Sequence, residues 1–351
     1  MVHLWVRAES RANERRVGIT PAGLRDLIAQ GFRVTVEESP HRILPIADYA
    51  GAGAEIAPQG SWTGAPAEAV VFGLKELPED GSPLRHRHIM FGHAYKGQPA
   101  GQVLLRRFRA GGGTLYDLEY LTDGKGRRLA AFGHWAGFAG AAVSLKAWAA
   151  QRRGGICGPV AGWPSQQRLQ DELRAELEAA GAPPPHAIVV GALGRVGRGA
   201  SELLDRMGVP ITAWDMAETA GGGPFPEILG HELFINCILA GPQSPVLVPP
   251  EAISADRLLT VIGDVACDPS SDFNPVRVYD RITGWAQPVI RVANRPVLDV
   301  MAIDNLPSLL PRESSLDYAG QLLPVLMGLK RMAEGPWGRA GELFRAHLAA
   351  I

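Results

Sequence analysis

The chain has 351 residues, of which 46% are hydrophobic, so it is long enough for two domains of ordinary size with apolar cores. Lys and Arg number 35 and Asp and Glu number 36, and this balance favours neither nucleic acid nor an anionic membrane surface as a partner. No apolar run reaches the roughly 20 residues of a membrane span, and no signal-peptide pattern opens the chain, so a cytoplasmic protein is predicted.

The three cysteines, Cys157, Cys237 and Cys267, are scattered along the chain. They form no CxxC pair and have no nearby histidines at metal-ligand spacing. This distribution argues against a zinc site and against a disulfide scaffold, and it fits a reducing cytoplasm. We therefore expect no metal.

Strand-like and helical patterns alternate through the first third of the chain. Strands are predicted at residues 3–6, 32–37, 69–74, 88–91 and 114–117, and helices are predicted from Thr20-Pro21 onward and at 102–109. Alternation of this kind predicts parallel βαβ units, and hence one open α/β domain.

The pattern changes near Phe132, where a segment rich in Gly and Ala predicts a close-packed connecting helix as far as Ala150. A second α/β series follows, with strands predicted at 186–191, 211–214, 233–236, 258–263 and 289–292, and with helices at 166–179, 316–331 and 337–349. The predicted architecture is α/β, with two Rossmann-like domains that have parallel sheets and an interdomain cleft. One domain is residues 1–131 plus 314–351, and the other is residues 132–313.

Two titratable side chains follow predicted strands of the first domain. Lys75 lies in Gly73-Leu-Lys-Glu76 after one apolar run, and His93 follows the next run. Polar groups at strand ends are what an α/β protein presents to a ligand in its cleft, so the two residues are candidates for a proton-handling pair. The other interpretation is that both are surface residues at ordinary turns, and the local pattern leaves the choice open.

A glycine-rich motif, Gly191-Ala-Leu-Gly194-Arg195-Val-Gly197, lies between a predicted strand and a helix predicted to begin at Arg198. Glycines allow the backbone to approach a pyrophosphate, and the helix N-terminus supplies unpaired N–H groups. Asp215 ends the next strand, at the separation expected for an acid that binds the adenosine ribose, which favours NAD over NADP. The alternative is a glycine turn that only packs a helix on the sheet, with Asp215 merely exposed.

Further segments follow a shared pattern in chain order: residues 7–21, 73–76, 93–96, 116–119, 127–133, 137–140, 191–195 and 303–313. Together they resemble saccharopine dehydrogenase of the NAD-dependent, lysine-forming type. Because the match spans nearly the whole chain, it is more specific than any single motif. It also implies a looser relationship to alanine dehydrogenase and transhydrogenase domains.

The resemblance implies that NAD oxidises saccharopine at its secondary amine and that the imine is hydrolysed to lysine and 2-oxoglutarate, reversibly. Lys75 would be the base that removes the amine proton, and His93 the acid-base group for water attack and collapse of the carbinolamine. A lysine titrates near ~10.4 in water, so desolvation and cations such as Lys96 and Arg16 would have to lower the pKa of Lys75.

The resemblance also places carboxylates and cations around this pair. Glu76 and Glu119 match family carboxylates that would limit how far the pKa values fall. Saccharopine carries three carboxylates, and Arg11, Arg16, Lys96 and Arg128 are the candidates to bind them. Arginine can do so through two parallel hydrogen bonds. By charge alone, a solvated basic turn at residues 11–16 is the alternative.

For the cofactor, the resemblance implies contacts from Gly194, Arg195, Asp215, Thr219, Val265 and the turn Ile303-Asp304-Asn305-Leu306. Two other functions stay open: another amino-acid or opine dehydrogenase on the same scaffold, and a non-catalytic NAD-binding protein. Lys75 and His93 speak against the latter. The sequence leaves open the physiological direction, the exact amino acid, the roles of the cysteines and the oligomeric state, a monomer included.

Overall fold

The computed structural model describes residues 1–11 and 13–351, which form two compact units. The first unit is residues 1–131 with 311–351, and the second is residues 132–310. The predicted boundary after residue 313 lies inside a helix that begins at Pro311, because that helix already belongs to the first unit.

The described residues form the strands β1 (His3–Val6), β2 (Arg33–Glu37), β3 (Glu55–Ala57), β4 (Val70–Phe72), β5 (Arg87–Met90), β6 (Thr114–Asp117), β7 (Ala187–Val190), β8 (Ile211–Trp214), β9 (Leu233–Asn236), β10 (Val261–Asp264), β11 (Val289–Asn294) and β12 (Val297–Met301). The helices are α1 (Pro21–Ala29), α2 (Ile46–Gly51), α3 (Pro99–Gly111), α4 (Gly133–Arg152), α5 (Gln166–Ala180), α6 (Arg195–Arg206), α7 (Met216–Thr219), α8 (Pro226–Leu229), α9 (Pro311–Met327) and α10 (Gly335–Ala349). Within this part of the chain, no helix is both long enough and apolar enough to span a bilayer.

The sheet of the first unit is parallel, with the described strands in the order β3-β2-β1-β4-β5-β6. The strand order reverses at β1, which lies between β2 and β4. In a doubly wound fold, the carboxyl ends of the strands at such a reversal flank the ligand crevice. The Thr20-Pro21 pair starts α1 as predicted, since the Thr20 hydroxyl accepts a hydrogen bond from Gly23 N at 3.1 Å.

The sheet of the second unit has the order β11-β12-β10-β9-β7-β8, and its order reverses at β7. One pairing departs from the predicted parallel arrangement: β11 runs antiparallel to β12. Only Arg295 and Pro296 join these two strands, and so short a connection permits only an antiparallel pair. The sequence did not indicate β12, because Asp299 interrupts its apolar run; Asp299 is buried and bound by Arg291 at 2.9 Å.

Helix α4 packs closely on α6 in the core of the second unit. A side-chain methyl group at Gly137 would overlap the carbonyl oxygen of Val196 and lie 2.9 Å from Ala200 N. The obstacle is backbone, so it cannot turn aside as a flexible side chain could. Glycine at 137 is therefore needed for this helix contact.

Gly137→Ala should destabilise the second unit by about 1–3 kcal/mol through overpacking, although alanine is the better helix former. Gly320→Ala in α9 is the matched control, since no atom lies within 4 Å of its added methyl group. There we expect unchanged or slightly increased stability, by at most about 1 kcal/mol. Urea unfolding of both variants checks this, and equal effects at the two positions would contradict the packing argument.

Candidate functional site

The structure places Lys75 and His93 after adjacent parallel strands. Backbone pairing continues past the end of both strands, since Gly73 N donates to Ile89 O and Phe91 N donates to Leu74 O, each at 3.0 Å. The chain segments that carry the two side chains therefore leave the sheet side by side at its carboxyl edge.

His93 adopts a left-handed backbone conformation, with φ of 48°, which no other non-glycine residue in the described part of the chain shares. For a side chain other than glycine this costs roughly 1–2 kcal/mol, so the surroundings must hold it. Its ring stacks on Phe91 with centroids 6.3 Å apart, and its Nδ1 lies 3.4 Å from Glu119 Oε2. Glu119 thus orients the imidazole, whose side chain is 41% exposed.

Glu119 follows β6 and is the centre of a charge network. Its Oε1 accepts hydrogen bonds from Lys96 Nζ at 2.9 Å and from Arg128 at 2.7 Å. The contact with His93 and the hydrogen bond from Lys96 lower the pKa of Glu119 to about 2, against the effect of burial. The charges that act most strongly on the pKa of Lys75 do not include Lys96, whose ammonium pairs with Glu119.

Lys75 is partly buried, and its pKa lies below the ordinary value for lysine. Burial is the main cause and the charge of Arg16 the second; Glu14 and Glu76 oppose them, and Arg11 adds to them weakly. The desolvation and the Arg16 charge expected from the sequence are therefore both present. A lysine in this environment can serve as a base nearer to neutral pH.

The arginines near Lys75 have acidic partners. Arg16 and Glu14 form a buried two-pronged pair with distances of 2.8 and 2.6 Å, and the charge and hydrogen bonds of Arg16 lower the pKa of Glu14 against the effect of burial. Arg11 binds Glu76 Oε1 at 2.9 Å in an exposed pair. A solvated basic turn does not describe Arg16, which is 4% exposed and paired with Glu14.

A cavity of about 480 Å³ opens beside His93. Arg11, Glu76 and Gln98 contribute polar groups to it, and Leu77 and Leu104 contribute apolar surface. Its volume falls in the range of small-molecule sites.

The sequence analysis missed Asp117, the last residue of β6. Its side chain is buried, its Oδ1 accepts the N–H of Glu119 at 2.9 Å, and burial raises its pKa to about 6. Asp264, at the end of β10, is its counterpart in the second unit: it binds Tyr279 and Asn236, and burial also raises its pKa to about 6. For both residues, the sequence signal that could have indicated them is an acid at the end of an apolar strand.

The glycine motif of the second unit follows β7, the strand where the sheet order reverses. Gly191 has φ of 85°, and a methyl group at Gly197 would overlap the Gly191 carbonyl oxygen. Helix α6 begins at Arg195 and not at Arg198, because Gly197 packs the first turn of the helix against the strand end. Gly194 caps α6 without a side-chain hydrogen bond, so its first N–H groups suit an anion.

Asp215 follows β8 and connects two loops at this edge. Its Oδ2 accepts the N–H of Leu193 in the glycine motif and its Oδ1 that of Met216, both at 2.9 Å. Thr219 Oγ1 donates to the Asp215 carbonyl oxygen at 2.9 Å. Leu193 and Met216 are 74% and 83% exposed beside this acid, an apolar surface of the kind a flat base covers.

The remaining predicted cofactor residues follow β10 and β12. Ile303 and Leu306 are buried in the core of the second unit, so only their backbone groups can contact a ligand, whereas Asp304 is exposed. Val265 is partly buried, and its N–H donates to Asn236 O at 3.1 Å.

The cysteines carry no sign of activation. Burial raises the pKa of Cys157 to about 11 and that of Cys267 to about 12, and it also raises the pKa of Cys237. Among residues 1–11 and 13–351, no group of three or more His, Cys, Asp or Glu side chains is arranged to hold a metal ion.

Comparisons with known proteins identify the fold and the family of this chain. Residues 5–139 match the family "Alanine dehydrogenase/PNT, N-terminal domain". A solved L-alanine dehydrogenase is similar over 98% of this chain and 94% of its own, with a TM-score of 0.69 and 19% identity. Proteins named "Saccharopine dehydrogenase [NAD(+), L-lysine-forming]" from Candida albicans and Yarrowia lipolytica are 42% and 43% identical. Each match covers 100% of this chain and 98% of the relative.

Two doubly wound α/β units, one with a dinucleotide-type glycine loop and one with a lysine and a histidine at adjacent strand ends, place the chain in the fold class of alanine dehydrogenase and transhydrogenase. Within that class, the full-length similarity is decisive. The chain belongs to the family of NAD-dependent, lysine-forming saccharopine dehydrogenases.

The Glu119 network should stabilise the fold above acidic pH. The pKa of the Glu119 carboxyl is about 2 in the folded protein, below its ordinary value of 4.5. The network therefore contributes its full stabilisation above about pH 4.5 and loses it as the pH falls toward 2. Glu119→Gln should therefore cost about 1–2 kcal/mol at pH 7, allowing for solvent screening, and progressively less below pH 4.5. Urea unfolding of the wild-type protein and of Glu119→Gln between pH 2 and pH 7 checks this prediction. A difference in unfolding free energy that grows as the pH falls would contradict it.

Proposed function

We propose that this chain catalyses the reversible, NAD-dependent conversion of saccharopine to lysine and 2-oxoglutarate. The observation that carries the proposal is the partly buried Lys75, with its lowered pKa, beside a histidine that is oriented by a carboxylate. The full-length similarity to relatives of that name supports the same reaction. The three cysteines are free thiols, which is compatible with a reducing cytoplasm as its compartment.

Lys75 acts first in the proposed mechanism. Burial and the Arg16 charge favour its neutral amine, which accepts the proton of the substrate's secondary amine. That proton transfer makes the nitrogen lone pair available for imine formation. NAD, when bound, supplies the chemistry of hydride acceptance from the carbon beside that nitrogen.

His93 then handles the hydrolysis of the imine. With Nδ1 turned toward Glu119, its Nε2 is available to accept a proton from the water that attacks the imine carbon. The same imidazolium gives a proton to the nitrogen of the carbinolamine, and the neutral imidazole then accepts the hydroxyl proton as the C–N bond breaks to give a ketone and an amine. Glu119 stabilises the transient positive charge on the imidazole.

The proposed substrate site carries more positive than negative charge. Arg11, Arg16, Lys96 and Arg128 are four cations, and Glu14, Glu76 and Glu119 are the three carboxylates that pair with them. Lys96 and Arg128 are exposed beyond Glu119, with 56% and 43% of their side chains open to solvent. These two can take up a substrate carboxylate while they keep their bonds to Glu119.

The second unit fits NAD. The α6 N-terminus, with Gly191, Gly194, Arg195 and Gly197, would hold the pyrophosphate, and Asp215 would accept hydrogen bonds from the ribose hydroxyls. A carboxylate at that position disfavours the additional phosphate of NADP. We assign Thr219, Val265, Ile303, Asp304 and Leu306 to the edge of this site.

Turnover assays test the function directly. Purified protein with NAD and saccharopine should form NADH, lysine and 2-oxoglutarate, followed by absorbance and by mass spectrometry. In the reverse direction, NADH and 2-oxoglutarate should be consumed much faster with lysine than with ornithine or alanine. A preference for pyruvate and ammonia would instead assign an alanine dehydrogenase activity, and NAD binding without turnover of any pair would assign a binding protein.

Two substitutions should separate the roles of the two units. Lys75→Met should lower kcat by at least about 100-fold and leave the Kd for NAD nearly unchanged, because it removes the base alone. Asp215→Ala should weaken NAD binding by about 10- to 100-fold through lost charge-assisted hydrogen bonds, with a smaller effect on kcat. Steady-state kinetics and NAD titration measure both, and the opposite pattern would mean that the sites are exchanged.

A further inference from the structure

Arg7 and Glu9 are buried residues that follow β1. Their side chains bind the backbone of residues 73–76, the segment after β4 that is called the Lys75 loop below. The Glu9 carboxylate accepts the N–H of Leu74 through Oε1 at 2.7 Å and the N–H of Lys75 through Oε2 at 2.9 Å. The Arg7 guanidinium donates to the carbonyl oxygen of Lys75 and to that of Ala8. Both backbone polar groups of Lys75 are thus held by side chains from another segment.

The fold puts these segments side by side. Val6 and Phe72 are paired at the ends of β1 and β4, and Arg7 N continues the pairing by donating to Phe72 O at 2.9 Å. This is the point where the strand order of the first sheet reverses. The crevice of the first unit therefore begins between the two segments.

Arg7 and Glu9 also hold each other in place. Arg7 lies 3.4 Å from Glu9 Oε2, and the two residues are only 3% and 8% exposed. The guanidinium occupies the space beside Gly73, where a methyl group would overlap it. A buried ion pair with this many backbone contacts is costly to break, since one charge would be left unpaired.

The same contacts reach the histidine loop. Leu74, whose N–H is bound by Glu9, accepts with its carbonyl oxygen the N–H of Phe91 at 3.0 Å, and Phe91 stacks on His93. A cavity of about 20 Å³ is lined by this ion pair together with Glu14 and Arg16, the pair that lies near Lys75. The Arg7–Glu9 pair therefore supports the segments that carry Lys75 and His93, and it does not itself take part in proton transfer.

We infer that Arg7 and Glu9 are positioning residues that fix the Lys75 loop for proton transfer. This inference rests on the base role of Lys75 in the proposed function. A base must lie within hydrogen-bond reach of the proton it removes, and a displacement of about 1 Å can cost about 100-fold in rate.

The test is a double-mutant cycle that joins Glu9→Gln to Lys75→Met. Glutamine keeps the shape of Glu9 but turns an amide NH₂ toward one backbone N–H, so Glu9→Gln should lower kcat by about 100-fold with little change in the KM for NAD. In the Lys75→Met background the same change should alter the residual rate by less than about twofold, because no base remains to be positioned. An equal loss in both backgrounds would assign Glu9 a merely structural role and overturn the inference.

Two further variants reach the same loop without altering Glu9. Gly73→Ala displaces the Arg7 guanidinium. Arg7→Lys keeps the positive charge but loses the planar guanidinium with its several N–H donors, so each variant should reproduce the loss in kcat. These variants carry the test if Glu9→Gln does not fold. The matched control is Glu232→Gln, whose carboxylate binds the backbone N–H of His186 in the second unit and which should leave kcat within about twofold.

A readout independent of turnover is competitive acetylation of Lys75, quantified by mass spectrometry with the exposed Lys125 as reference. Loosening the loop exposes the amine to water, so the midpoint of its pH dependence should move upward in Glu9→Gln and stay unchanged in Glu232→Gln. An unmoved midpoint together with wild-type kcat would overturn the inference. Failure of the wild-type protein to convert saccharopine would refute the proposed function instead, so the two results are distinguishable.

Discussion

The parallel pairing of β4, β5 and β6 is the constraint on which the first unit's chemistry depends. Parallel strands end at one edge of a sheet, so the residues after each strand meet there whatever their separation in the chain. Lys75, His93 and Glu119 each follow one of these strands. The added backbone pairs at Gly73 and Phe91 extend this order beyond the strands, so neither loop depends on solvent-exposed contacts alone.

Around this carboxyl edge of the first sheet, the charged side chains form ion pairs that differ in how deeply they are buried. Arg16, in its buried pair with Glu14, adds to burial in favouring the neutral form of Lys75, and Glu14 opposes it. The cations around Glu119 are instead half exposed and keep that carboxylate ionised beside His93. Burial thus separates the two environments: one promotes loss of a proton from an amine, and the other keeps a carboxylate ionised beside an imidazole.

The sequence predicted those features that follow from periodicity and turn chemistry. Thr20-Pro21 starts a helix as expected, and apolar runs located most strands together with the residues that follow them. Buried acids inside a strand were not predictable in the same way, because an acid within an apolar run argues against a strand until its partner is known. For this reason β12, which contains Asp299, was not predicted. The contacts of Glu9 were not predictable because they join residues that are 65 and 66 positions apart in the chain.

The two units have related sheets, yet their strand-end acids serve different purposes. Glu37 ends β2 in the first unit, as Asp215 follows β8 in the second, and each strand neighbours the strand where the sheet order reverses. Glu37 is fully buried, and its carboxylate accepts N–H groups from Ala8, Gly60, Trp62 and the Trp5 ring at 2.6 to 3.1 Å. An acid that is saturated by its own unit cannot also bind a ribose, whereas Asp215 is partly exposed next to a glycine loop. This difference in hydrogen bonding supports the proposal that the dinucleotide binds the second unit and that the strand ends of the first unit carry out the acid-base chemistry.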